Sequence, residues 1–191
     1  MSKKIKVLAF SGSTRKDSYN KQLLLQAVSF LPKNVELTLI DLKDYPMPLY
    51  DADLEQETKV PENARKIRSL MISADAFIIT SPEYNGSISG VLKNTIDWTS
   101  RAEDNIPSLA AYKGKYAFIL STSIGKSGGI NSLSMLKSIL NYMGITVIPE
   151  LVAIPYATKF FNETKVSLEE SDLNLIKTGC QKLISLTSVN V

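Results

Sequence analysis

Histidine is missing from this 191-residue chain, and cysteine occurs once, at Cys180. The first absence removes a Ser-His-Asp triad, a Cys-His dyad and every His-ligated metal centre. The second removes internal disulfides and thiolate metal clusters. Any catalysis must then come from carboxylates, lysine, tyrosine or a bound cofactor. No apolar run approaches the ~20 residues that span a bilayer. The basic start MSKKIKVLAF lacks the apolar length and the small-residue cleavage site of a secretory signal. A chain without such signals is expected in the cytoplasm, away from membranes. Neither charge sign dominates: the formal net charge is only +3, and Lys and Arg are scattered along the chain. A nucleic-acid partner would call for a basic patch or stripe.

What is present fits one soluble domain over 1–191, with 44% hydrophobic and 21% charged residues and length enough for a sizeable core. Strand and helix signals alternate along it. Residues 5–10 form an apolar run ending at Ser11-Gly12, as a buried parallel strand does. Leu23, Leu24, Ala27, Val28 and Leu31 repeat at helical spacing up to Pro32. VELTLIDL (35–42) alternates as a strand, and 45–55 reads as a proline-punctuated loop. Pro61-Glu62 opens a helix with Ala64, Ile67 and Met71 on one face.

ADAFIIT (74–80) gives a third strand, followed by a helix carrying Val91, Leu92, Thr95, Ile96 and Thr99. YAFILST (116–122) gives the fourth. A helix after Gly128-Gly129 turns Leu133, Leu136, Leu140 and Met143 inward and ends at Gly144. ITVI and LVAI, split by Pro149-Glu150, make a fifth strand or one with a break. A last helix starts near Leu168, with Leu173, Ile176, Cys180 and Leu183 on one face. Five strands each followed by a helix predict a doubly wound parallel sheet. Ligands of such sheets sit beyond the strands' carboxyl ends, which directs attention to loops 11–20, 81–90 and 121–129.

The first loop reads SGSTRKDSYNKQ. A helix starting near Ser18 offers free backbone N–H groups, Ser13, Thr14, Ser18 and Asn20 add neutral donors, and Arg15 adds a forked cation. Two readings stand side by side: a phosphate site, or a polar turn in which Asp17 or Ser18 caps the helix. A dinucleotide fingerprint fails, because no further glycine follows Gly12 before the helix. A P-loop at 120–129 fails as well, because Leu120 stands where its first glycine belongs. In the second loop, Tyr84 supplies a flat face and Asn85-Gly86 a turn with positive φ. This segment suits a flat heteroaromatic ligand, and equally a tight turn capped by Ser87 or Ser89.

The stretch SPEYNGSISGVLKNTIDWTSR (81–101) closely resembles the signature of the NADPH-dependent FMN reductase family, flavodoxin-like proteins that include azoreductases, chromate reductases and quinone reductases. Gly12, Ser13, Arg15, Ser18 and Asn20 match the family's first-loop motif, and PLYDADLE (48–55) and TSIGKSGG (122–129) fall where it carries similar stretches. Ser89 departs from it, standing where the family usually has proline, a change expected to loosen the loop. The resemblance implies a flavodoxin-like three-layer sandwich with a five-stranded parallel sheet in order 2-1-3-4-5. It implies non-covalent FMN, with the 5′-phosphate on Ser13, Arg15, Ser18 and Asn20. The ring would lie along Pro82, Glu83, Tyr84, Asn85 and Gly86, and Ser123 and Gly125 would close its other edge.

The activity implied is an NADPH- or NADH-dependent oxidoreductase working by ping-pong hydride transfer through flavin N5. Its acceptors would be small: quinones, azo compounds, free flavin or metal oxyanions. A homodimer or homotetramer is implied too, with Arg101 a candidate interface residue. The alternative is a flavodoxin-type electron carrier without nicotinamide reactivity, a class that tends to be strongly acidic. Glu83 reads either as a base or as a contributor of backbone, since hydride transfer needs no protein base. Trp98 reads as core beside a surface Asp97–Arg101 pair, Cys180 as core, and Lys126 as a solvated lysine or a partner for NADPH phosphates.

Overall fold

A computed structural model of the chain describes residues 4–162 and 166–189, so both ends of the expected 1–191 domain lie outside the described residues. Among these, five parallel strands form one sheet in the order β2-β1-β3-β4-β5. The central strands β1 (Lys6–Ser11), β3 (Ala76–Thr80) and β4 (Tyr116–Thr122) are buried almost throughout. Helices cover both faces, which is why these strands read as unbroken apolar runs. Their side chains divide by parity: Leu8 and Phe10 enter one core layer, Val7 and Ala9 the other. The edge strand β2 (Glu36–Asp41) leaves Leu37 and Leu39 partly exposed.

Helices α1 (Tyr19–Val28) and α7 (Glu170–Ser188) pack on one face, where Leu23, Ala27, Ile176, Cys180 and Leu183 meet Phe118, Leu120 and Val152. Gly179 is a point of close contact, since a Cβ there would stand 2.3 Å from the Phe118 ring. On the other face, α3 (Glu62–Ser73), α4 (Gly90–Thr99) and α5 (Ile130–Tyr142) contribute Ile67, Leu92, Ile96, Leu133 and Leu136.

Several expectations need correction. The first helix ends at Val28 rather than at Pro32, with Leu31 held by a tightened turn (its N–H on Val28 O, 3.1 Å). The stretch expected as a loop over 45–55 gives way to helix α2 (Ala52–Thr58), started by Asp51, whose Oδ1 accepts from the N–H groups of Asp53 and Leu54. No residue of α2 is buried, so no apolar period betrays it. ITVI and LVAI form one strand, β5 (Thr146–Ile154), with a register shift opposite Ala117–Ile119. A short helix α6 (Ala157–Phe160) follows, and the last helix opens at Glu170, two residues later than expected.

Trp98 is fully buried, as expected of core, with its Nε1 donating to Pro48 O at 2.8 Å. The surface pair expected beside it is replaced by two others. Asp97 pairs with Lys93 at 2.7 Å, one turn earlier on the same helix, and Arg101 with Glu55 at 2.9 Å. Arg65 and the buried Arg68 both hold Glu103, which pins the loop after α4 to α3.

Candidate cofactor site

The three loops singled out by the topology converge at the carboxyl edge of the sheet. They enclose a cleft of about 290 Å³ lined by Ser13, Arg15, Ser18, Pro82, Glu83, Tyr84 and Ser123, together with Tyr19, Asn20, Thr122 and Ile124. A hollow between α4 and α5 is larger, at about 590 Å³, but no strand-end loop opens into it. The chemistry therefore points to the smaller cleft, at the switch between strands β1 and β3.

The first loop delivers its donors through α1. Ser18 is the N-cap: its hydroxyl oxygen accepts from Lys21 N–H at 3.3 Å, leaving its own proton free. The N–H groups of Tyr19 and Asn20 have no partner within the helix. Arg15 is exposed and forms no ion pair among the described residues. Lys21, by contrast, turns to the far side of α1 and pairs with Asp41 at 2.5 Å. Burial alone would raise the Asp41 carboxyl, but hydrogen bonds from Lys21 and from Lys43 N–H outweigh it and hold the group below its ordinary range.

Asn20 lines the cleft and also has a structural task. It is buried, its Nδ2 donates to Thr122 O at 2.9 Å, and its Oδ1 accepts from Thr122 N–H at 3.2 Å. One Nδ2 hydrogen and the amide oxygen thus join α1 to the end of β4. What Asn20 can still offer an anion is its backbone N–H and its second Nδ2 hydrogen.

In the second loop, Tyr84 and Ser87 exchange backbone hydrogen bonds (3.0 and 3.1 Å) across Asn85 and Gly86, both at positive φ. That is a two-residue turn of the type that favours Asn-Gly. Pro82, Glu83 and Tyr84 line the cleft, while Asn85 and Gly86 form the exposed tip outside its lining. The Glu83 carboxylate is engaged: it accepts from Asn131 N–H (2.9 Å), Ser132 N–H (3.2 Å) and Asn131 Nδ2 (3.1 Å). It therefore caps α5 from another loop, because the helix's own N-cap, Gly129, has no side chain. Ser89 caps α4, accepting from Leu92 N–H at 3.2 Å. The loosening expected from the missing proline is countered by this bond.

The third loop is held from β5. Thr122 Oγ1 donates to Ile154 O (2.9 Å), Ala157 N–H to Ser123 O (2.9 Å) and Tyr156 N–H to Gly125 O (3.2 Å). Gly128 and Gly129 allow this close fit, since Cβ atoms there would stand 2.7 Å from the Ala153 backbone and 1.9 Å from Ser121 Oγ. Ser123 faces the cleft; Gly125 lies outside its lining and, like Lys126, is exposed.

Tyr19, Thr122 and Ile124 were not foreseen. Ile124, 70% exposed in an otherwise polar loop, was the legible signal among them. With Tyr84, half exposed, it gives the cleft two apolar walls beside a donor-rich end. Such a cleft can take an anion at one end and a flat ring at the other, a combination that matches FMN: unpaired N–H groups, a free hydroxyl proton and a free guanidinium for phosphate, and apolar surfaces for a ring. Among the described residues no group of His, Cys, Asp and Glu could hold a metal ion.

Comparison with known proteins agrees with this geometry. A family model described as NADPH-dependent FMN reductase matches residues 5–159. An NAD(P)H-dependent FMN reductase of Pseudomonas aeruginosa is 35% identical over 185 residues, covering 96% of this chain and 95% of that protein. A quinone reductase of Escherichia coli is 32% identical over 177 residues, covering 91% and 90%. Among solved structures, the flavoenzyme NAD(P)H:(acceptor) oxidoreductase FerB of Paracoccus denitrificans superposes with a TM-score of 0.79 at 25% identity, covering 96% of this chain and 97% of that one.

Proposed function

This chain belongs to the NADPH-dependent FMN reductase family, and on that premise we propose that the cleft at the carboxyl edge of the sheet is its FMN site. The protein is an FMN-dependent NAD(P)H oxidoreductase. The redox chemistry that non-covalently bound FMN supplies is two-electron transfer from NADPH or NADH to a small acceptor, in two half-reactions. Everything else in the cleft is binding and orientation.

The observation that carries the assignment of the site is the donor set at the start of α1. Ser13, Arg15, Ser18 and the Tyr19 and Asn20 N–H groups would hold the phosphate. Pro82, Glu83, Tyr84 and Ser123 would hold the ring, with Asn85 and Gly86 at the exposed tip of the turn and Gly125 accepting from the Ser123 hydroxyl at 3.4 Å. Tyr84 and Ile124 leave an apolar opening suited to a nicotinamide ring and, in turn, to a flat acceptor. Quinones fit that opening best; azo compounds, free flavin and metal oxyanions are the remaining candidates.

The whole chain serves as one FMN-binding domain in this reading, since α7 completes the core under β4 and β5. It works as a homodimer or homotetramer through the α4–α5 side, where the exposed Tyr142 lines the larger hollow together with Arg101. No helix among the described residues is long and apolar enough to cross a membrane. A cytoplasmic setting agrees with the single reduced cysteine and with a nicotinamide reductant. The flavodoxin-type carrier draws no support from the relatives.

The test is anaerobic mixing of the purified yellow protein with NADPH or NADH, followed by a benzoquinone. Bleaching followed by return of colour is expected. A protein that refuses FMN sinks the site, and one that stays yellow with both nicotinamides sinks the reductase.

A further inference from the structure

Residues 13–17 are held at their ends and hardly between them. Among the hydrogen bonds of the described residues, their internal one is Arg15 N–H to Ser13 Oγ, at 3.4 Å. The downstream end is fixed by the Ser18 cap. The upstream end is fixed at Gly12, whose N–H donates to Thr80 O at 2.7 Å and whose carbonyl accepts from Ser89 Oγ at 2.5 Å. Ser89 is 2% exposed, so water cannot take over its bond. The seat is tight as well: a Cβ on Gly12 would stand 3.0 Å from Leu92 Cβ and 3.3 Å from Ser89 Oγ. The serine that starts α4 thus grips the residue from which the donor loop departs, 77 positions earlier in the chain.

We propose that Ser89 is a positioning residue for the phosphate end of the cofactor. Its hydroxyl, donating to the Gly12 carbonyl, sets the direction in which Ser13, Arg15 and Ser18 face an anion. Ser89 itself does not line the cleft. The inference rests on the reading of the 13–18 loop as the phosphate site. It predicts a selective effect, because the ring-binding turn at 82–87 keeps its own Tyr84–Ser87 hydrogen bonds, while the phosphate loop loses one of the two hydrogen bonds that fix its upstream end at Gly12.

The experiment compares FMN with riboflavin, which lacks the phosphate. Full-length wild type, Ser89→Ala and Ser89→Thr, each freed of flavin, are titrated with both by quenching of flavin fluorescence. Ser89→Ala should weaken FMN binding by about tenfold, equivalent to about 1.4 kcal/mol, and leave riboflavin binding unchanged. Ser89→Thr, which keeps a hydroxyl and can still cap, should restore most of the FMN affinity. If the alanine variant weakens both flavins by the same factor, or neither, Ser89 is not a phosphate-positioning residue. A wild type that binds FMN no better than riboflavin overturns the phosphate reading itself, and the inference with it.

Discussion

Replacing Glu83 separates two roles that a carboxylate in a flavin loop can play. Its oxygens accept from two backbone N–H groups at the start of α5 and from the Asn131 side chain, at 2.9, 3.2 and 3.1 Å. Hydrogen bonds to a charged group contribute about 1.5–3 kcal/mol, and a negative charge at a helix N-terminus adds about 0.3–1 kcal/mol. Asn131 is exposed, so water replaces part of this when the carboxylate is removed. Glu83→Ala should therefore cost about 2 kcal/mol, a Tm drop of about 4–8 °C in a chain of this size. Glu83→Gln keeps one acceptor oxygen but loses the charge, and should cost about half as much. Calorimetry of the FMN-loaded protein reads both, and stopped-flow mixing with NADPH reads the reductive half-reaction. With the cap as the role of Glu83, the glutamine variant is still reduced at close to the wild-type rate. An unchanged Tm in the alanine variant, or abolished reduction in a fully stable glutamine variant, would refute the capping account and restore Glu83 as a proton-handling group.

Three further outcomes are expected. Gly179→Ala drives a methyl into the Phe118 ring, an overpacking cost of about 1–3 kcal/mol that exceeds the helix-propensity gain of up to about 1 kcal/mol; a raised melting temperature would contradict it. Cys180 is fully buried and burial pushes its thiol up to about 12, so the native protein should resist an aromatic disulfide reagent and react once after unfolding. Hydrogen bonds from Arg65 and Arg68 hold the Glu103 carboxyl below its ordinary range against the opposing effect of burial. A carboxyl depressed in the folded state stabilises above its unfolded pKa, and that contribution is lost as the pH falls through the folded value. The Tm gap between wild type and Glu103→Gln should accordingly be wide at neutral pH and narrow below about pH 4; a gap independent of pH would exclude the charge as its source.

The parts legible in the sequence share a physical cause. β1, β3 and β4 announce themselves because both faces are covered, and α3 and α5 because one stripe of each is buried. The loop positions follow from that alternation alone. Helix α2 escaped because it buries nothing, and the last turn before Pro32 because apolar spacing continues past the true end of α1. The composition of the cleft was readable, yet the duties within it were not. The side chain of Asn20 also ties α1 to Thr122, 102 residues away, and Glu83, open between a base and a contributor of backbone, caps a helix 48 residues on. Such partners are chosen by the fold, and no local pattern encodes them.

The anchoring of the third loop at the end of β5 bears on the order in which this molecule can become functional during synthesis. Thr122, Ser123 and Gly125 take their final places only by bonding Ile154, Tyr156 and Ala157, and Asn20 in turn needs Thr122. A ribosome that has released the first two loops has delivered eight of the eleven residues that line the cleft, without the partners that hold Asn20 and Glu83 still. The nascent chain becomes a competent flavin receptor only after its fifth strand has emerged and the residues just beyond it have closed over the third loop.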